Sequence, residues 1–126
     1  MSPLPVITKI NRVKDFQDLL EKNPGLIIIK FGAAWCGPCK MIEQPMYILF
    51  AQMPENVQPV LIDVDECVEL YSFMRNKRIF KGVPALLCYY AENTSPYPDD
   101  MVIGADIPQL NLFFQRCFHK ATELLS

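Results

Sequence analysis

The sequence predicts an α/β fold with a central mixed sheet flanked by helices on both faces, its elements running βαβαβαββα along the chain. Three observations carry that expectation. Short β-prone apolar runs alternate with segments whose apolar residues recur at helical spacing. The run Leu26-Ile27-Ile28-Ile29-Lys30-Phe31 is almost continuously apolar, as expected of a strand covered on both faces. The last two strands are joined by a loop alone, which allows antiparallel pairing, whereas strands separated by helices are expected to run parallel.

Taken in order, residues 6–10 form the first β-prone run. Asn11 can cap the segment that follows, where Val13, Phe16, Leu19 and Leu20 make a helical stripe. Asn23-Pro24-Gly25 ends that helix. The strand at 26–31 leads through Gly32-Ala33-Ala34-Trp35 into a second helix reaching about Met53, with Pro45 inside it. A loop is expected over 54–59, a strand over 60–64, a helix from about Glu66 to Asn76 and a strand over 85–91. A polar, proline-bearing loop follows over 92–100, then a short strand over 101–103 ending at Gly104. Pro108 sits where the last helix can start, and Leu110, Phe113, Phe114 and Cys117 mark its buried stripe.

A chain of 126 residues fits a single domain spanning 1–126, large enough to bury about two thirds of its unfolded surface without metal or disulfide staples. A formal charge of −2 gives no electrostatic case for nucleic acid or an anionic membrane as partner. The longest apolar runs are too short to span a bilayer, and residues 1–10 lack the pattern of a secretory leader. The expected location is therefore the cytoplasm, and Asn93-Thr94-Ser95 is read as a chance match to a glycosylation acceptor. Five cysteines make an odd set, poorly suited to a secreted disulfide framework. Only Cys36 and Cys39 are closely spaced, and His119 is the sole histidine, so no metal site is expected.

The chemistry concentrates in Trp35-Cys36-Gly37-Pro38-Cys39-Lys40, at the junction of a buried strand and a helix start. A helix N-terminus offers unpaired N–H groups and the positive end of the macrodipole, which favour a thiolate over a thiol. Pro38 suits the first turn, where its missing N–H would have no intrahelical partner. A separation of three puts Cys39 on the same helix face as Cys36, within disulfide reach. Cys36 is then the outer, attacking thiolate and Cys39 the inner thiol that resolves a mixed disulfide. A bare pair of cysteines at a helix start could be core packing alone; the Trp, Gly and Pro around it and the βαβ pattern on both sides favour redox chemistry.

This segment, with Lys30-Phe31 before it, resembles the active-site signature of thioredoxins, and the likeness continues at 60–65, at Gly82-Val83-Pro84 and at Ile103-Gly104-Ala105. It spans residues 6–124 in the expected element order and implies the thioredoxin fold. It also implies a cis bond before Pro84, facing the dithiol, with the Val83 backbone free to pair with an extended substrate segment. Trp35, Gly37, Pro38, Val83, Gly104 and Ala105 would then form a flat docking surface around the sulfur.

Four departures from the family pattern stand out. Where thioredoxins usually carry a buried Asp, six residues before the first cysteine, this chain has Lys30. Asp63 and Asp65 share a strand face that parallel pairing could bring towards it. Lys30 then either tunes proton transfer or the thiolate at Cys39, or forms an inert ion pair with Asp63; the ion pair is the expectation, because ion pairs outnumber tuned lysines. Pro45 lies six residues after Cys39, one further than usual. Arg75, Lys77, Arg78 and Lys81 crowd the approach to the docking loop, where they either steer an acidic partner or form a solvated face, the latter being the expectation. The 92–100 loop replaces a tight turn and reads as a tolerated insertion. Cys88 and Cys117 read as core residues, and Cys67 as a helix-start thiol disfavoured as thiolate by Asp65 and Glu66.

The expected activity is that of a protein-disulfide reductase, cycling Cys36 and Cys39 with no bound cofactor. Its expected partners are disulfide-containing target proteins and, by resemblance, a flavin-dependent thioredoxin reductase as donor; a monomer is expected. An oxidase or isomerase, or a docking module that does not need its thiols, are the alternatives.

Overall fold

A computed structural model describes residues 2–126. Its regular elements are α1 (Val13–Glu21), β1 (Leu26–Gly32), α2 (Gly37–Ala51), β2 (Val57–Asp63), α3 (Val68–Asn76), β3 (Ala85–Tyr90), β4 (Asp100–Ile103) and α4 (Ile107–Leu125). The four strands form one mixed sheet in the order β2-β1-β3-β4. This is the expected element order, with one strand reduced: the 6–10 run makes a single parallel bridge, Ile7 to Val60, on the outer edge of β2.

The start of β2 explains that bridge. A loop was expected to Pro59, yet the strand begins at Val57 and includes the proline. The Pro59 carbonyl accepts the Ile7 N–H at 3.1 Å, so the face of the residue lacking an N–H points away from β1. A proline is tolerated at a sheet edge for that reason. With prolines at 3 and 5 as well, the N-terminal segment cannot build a continuous ladder.

β1 is central. It pairs in parallel with β2, with Lys30 opposite Leu61 and Gly32 opposite Asp63. On its other side it pairs with β3, and this pairing is antiparallel, against the expectation for strands separated by a helix. Phe31 meets Ala85 and Leu26 meets Tyr90, so the chain enters β3 at the same end of the sheet by which it left β2. α3 and the 77–84 segment return it to that end instead of crossing the sheet's length. β3 and β4 pair antiparallel, as expected of a loop-joined pair.

Alternation along β1 sorts the core into two layers. Ile27, Ile29 and Phe31 pack with Phe16 and Leu20 of α1 and Leu70 and Met74 of α3. Leu26 and Ile28 pack with Ile42, Met46 and Phe50 of α2 and Leu110, Phe113, Phe114 and Cys117 of α4. Lys30 and Gly32 follow Leu26 and Ile28 in phase, which places them on the α2 face, at the end of the sheet where that helix starts.

Several local expectations shift. α1 is entered through Arg12 with no side-chain cap, not through Asn11; its first N–H donates instead to Glu69 Oε2 of α3 at 2.7 Å. α3 starts at Val68, two residues later than expected, with Cys67 as its N-cap. α2 runs through Pro45 without interruption and ends at Ala51. The 92–100 connection is tied down: the Tyr89 hydroxyl donates to the Pro96 carbonyl at 2.7 Å, and Asp99 Oδ2 accepts from the Tyr90 N–H and from Asn93.

Candidate active site

The cysteine pair sits where β1 hands the chain to α2. A turn closed by the Cys36 N–H on the Ala33 carbonyl lifts the chain off the sheet. Cys36 is the N-cap of α2, Gly37 opens the helix and Pro38 falls within its first turn. The two cysteines are joined as a disulfide, with Cα atoms 5.2 Å apart. Cys36 Sγ also accepts the Cys39 backbone N–H at 3.1 Å, an interaction that grows stronger if that sulfur becomes a thiolate.

Exposure does not separate the two sulfurs, since Cys36 is 4% and Cys39 3% accessible. Their surroundings do. Cys36 Sγ lies 3.7 Å from the Val83 carbonyl oxygen, beside the exposed Trp35, Gly37 and Pro38. Cys39 lines a cleft of about 330 Å³ shared with Lys30, Gly32, Glu43, Tyr47 and Asp63.

In that cleft the sequence reading is corrected. No ion pair joins Lys30 to Asp63; the ion pairs among the described residues are Arg12–Asp15, Lys14–Asp18, Arg116–Asp100 and Lys120–Glu123. Asp63 Oδ1 is taken by the Asp65 N–H at 2.8 Å. The Lys30 chain instead folds over Gly32: a Cβ added there would lie 2.5 Å from Lys30 Nζ and 3.6 Å from Cys39 Sγ, so ammonium and sulfur are at most about 6 Å apart. Burial pushes the Lys30 pKa below its ordinary value, while Glu43 and Asp63 pull it back up.

Asp65 is corrected as well. It lies beyond the end of β2 and accepts the Trp35 indole N–H at 2.9 Å, far from the role beside Lys30 that strand alternation suggested. Trp35 is thereby held in place although 67% of its surface is exposed. The bond from Val83 to Pro84 is cis, as the family resemblance implies. The Gly104 N–H donates to the Pro84 carbonyl at 2.9 Å, which brings the end of β4 to the same rim. Gly104 takes a φ of 90°, open to glycine and strained for any other residue. Val83, Gly104 and Ala105 are half-buried, whereas Pro84 is buried. Ile103, 47% exposed, adds an apolar side chain that the sequence reading missed.

Glu43 was missed too, although a signal existed: it follows Cys39 by four residues and so shares its helix face. The remaining thiols of Cys67, Cys88 and Cys117 are free and buried. A hydrogen bond with Cys117, followed by burial, pushes the Cys88 thiol well above its ordinary pKa. Among the described residues no group of three His, Cys, Asp or Glu side chains could hold a metal ion, and no helix is long and apolar enough to cross a membrane.

A disulfide of adjacent helical turns, capping a helix at the end of a sheet and facing a proline loop, defines the class: this is a thiol–disulfide oxidoreductase. Comparison with known proteins gives the family. The thioredoxin family model matches residues 7–111. Thioredoxin domain-containing protein 8 of Rattus norvegicus is 36% identical, over 83% of this chain and 94% of that protein. Thioredoxin-2 of Saccharomyces cerevisiae is 31% identical, over 67% and 76%, and rabbit thioredoxin 33% identical, over 52% and 62%. Among solved structures, the thioredoxin of Trypanosoma brucei brucei superposes with a TM-score of 0.70 at 26% identity, covering 90% of each chain. That of Trichomonas vaginalis reaches 0.73 at 21% identity, covering 90% of this chain and 97% of its own. The chain belongs to the thioredoxin family, whose members act on disulfides of protein targets.

Proposed function

We propose that this single-domain chain works as a protein-disulfide reductase, with Cys36 as nucleophile and Cys39 as resolving thiol. The observation that carries the reading is the contact of Cys36 Sγ with the Val83 carbonyl at 3.7 Å, beside the free N-terminus of α2. An extended target segment laid on the Val83 backbone would bring its own sulfur to Cys36, in the manner of strand addition. The rim of Trp35, Gly37, Pro38, Val83, Gly104 and Ala105 offers the apolar surface for that segment, with Pro84 beneath it.

The Cys36 thiolate attacks one sulfur of the target disulfide; that S–S bond breaks, the first target thiolate leaves, and a mixed disulfide with Cys36 forms. Cys39, deprotonated, then attacks the Cys36 sulfur. The Cys36–Cys39 bond forms and the second target thiolate leaves, so two electrons pass to the target and both target thiolates take protons from solvent. Lys30 acts on this second step as a cation facing the Cys39 thiolate, set against Glu43 and Asp63. No cofactor is involved, because the electrons reside in the sulfur pair. A thioredoxin-reductase-type donor returns the oxidised pair to the dithiol, and the protein acts as a monomer in the cytoplasm.

Reduction of insulin disulfides with dithiothreitol as donor tests the reading. Wild type should accelerate precipitation of the insulin B chain and Cys36→Ser should not. No acceleration by the wild-type protein would refute the reductase assignment.

A further inference from the structure

Between Glu69 and Glu92 the chain has no acidic residue. Within that stretch Arg75, Lys77, Arg78 and Lys81 are all exposed, and none belongs to an ion pair among the described residues. One third of the chain's twelve basic side chains thus lies in seven residues, on a molecule whose net charge is −2.

Two of these charges, on Arg75 and Lys77, are held in position without being neutralised. The Arg75 guanidinium lies 5.6 Å from the Tyr71 ring centre and donates to its hydroxyl at 3.2 Å; Lys77 Nζ lies 5.6 Å from the Phe73 ring centre. Such cation–π contacts orient a charge while leaving it free to attract an anion. α3 ends in a double closure, Ile79 N–H to the Met74 carbonyl and Arg78 N–H to the Arg75 carbonyl. That motif puts Arg78 at a φ of 57°, a position usually given to glycine. Ile79 and Phe80 then turn inward, with the Phe80 ring 4.8 Å from Phe31. The segment is therefore anchored in the core on its inner side and cationic on its outer side. It runs directly into Val83, whose carbonyl contacts Cys36.

Building on the reductase reading, we propose that the 75–81 segment selects targets, admitting protein disulfides flanked by acidic residues in preference to neutral or basic ones. An extended target paired with the Val83 backbone passes this segment as it enters or leaves, and carboxylates on that side meet four uncompensated cations. Asp65 is already committed to the Trp35 indole. Exposed charges of this kind act mainly on encounter and partner choice, and salt screens them.

The test uses three short cysteine peptides with acidic, neutral or basic flanks, each as a disulfide and as its serine analogue. The serine analogues report recognition without chemistry, through amide shifts at 81–83; the disulfides report kcat/KM. The acidic peptide should exceed the basic one about tenfold in both measures at low salt. The difference should collapse by about 0.3 M salt, and Lys77→Glu with Arg78→Glu, which brings the segment to zero net charge, should abolish the preference at low salt. The neutral peptide controls for folding and should bind the double variant as it binds wild type. Equal affinities at low salt, or an order untouched by the double variant, would overturn the proposal. Absent turnover with the affinity order intact would overturn the reductase reading and leave target selection standing.

Discussion

Replacing Lys30 by methionine removes a charge from the cleft while keeping its length and most of its packing. With Nζ at most about 6 Å from Cys39 Sγ, an ammonium–thiolate attraction amounts to ~3 kcal/mol at an effective dielectric of ~20 and ~0.7 kcal/mol in water. Lys30 is only half-buried, so solvent screening brings the effect towards the lower part of that range. A shift of about one pKa unit at Cys39 follows. Glu43 and Asp63, which face the same cleft, would then act on the thiolate unopposed. Below the thiol pKa, one unit costs tenfold in thiolate but returns part of that through greater nucleophilicity, leaving resolution about three- to fourfold slower. The assay is the single-turnover rate of mixed-disulfide resolution against pH, alongside the 13C shift of a labelled Cys39 Cβ. Lys30→Arg keeps the charge and cannot act as a base, so it should retain the wild-type midpoint. The pKa of Lys30 is lowered by burial, so the charged lysine opposes folding below that pKa and the methionine variant should be no less stable at neutral pH. A midpoint unmoved by Lys30→Met would rule out an electrostatic role for Lys30, and loss of it in Lys30→Arg would point to proton transfer instead.

Three further outcomes follow from packing and titration. Gly25→Ala would place a Cβ 2.8 Å from the Asn56 carbonyl oxygen and 2.6 Å from its side-chain nitrogen, and should cost ~1–3 kcal/mol in denaturant unfolding. Gly104→Ala meets no neighbouring atom but must adopt a φ of 90°; a loss of ~1–2 kcal/mol is expected, with the docking rim displaced and activity reduced. Burial holds the Tyr89 phenol above its ordinary pKa, so the folded state keeps a proton that the unfolded chain loses near pH ~10. Its contribution is full below that pH and falls as pH rises, by up to ~1.4 kcal/mol per unit; Tyr89→Phe should abolish that slope in unfolding curves taken across alkaline pH.

The fold was legible where periodicity is strong. The run from Leu26 to Phe31, the stripe of Leu110, Phe113, Phe114 and Cys117, and the loop-joined pair β3 and β4 all lie where pattern puts them. The misses share a cause: each depends on a partner distant in sequence. Pairing with Ile28 of β1 makes Pro59 part of β2, and Glu69 of α3 takes the first N–H of α1. The direction of β3 is set by where α3 releases the chain, which local propensity does not encode. At the site, the cysteine pair and its helix-capping position could be read directly, because they need only neighbours along the chain. Asp65 was misassigned because strand alternation was carried past the end of β2, and its indole contact has no signature in spacing. The ion pair expected of Lys30 failed for a steric reason: Gly32, lacking a Cβ, leaves room for the ammonium to lie towards Cys39.

The assignment of roles within the dithiol is tested most directly by trapping. Each single variant, Cys39→Ser and Cys36→Ser, would be mixed with a disulfide-bonded target protein and the adducts measured by intact-mass spectrometry. Cys39→Ser should accumulate a stable mixed disulfide through Cys36, while Cys36→Ser should accumulate none. Adducts on Cys39, or none on either variant, would contradict that assignment.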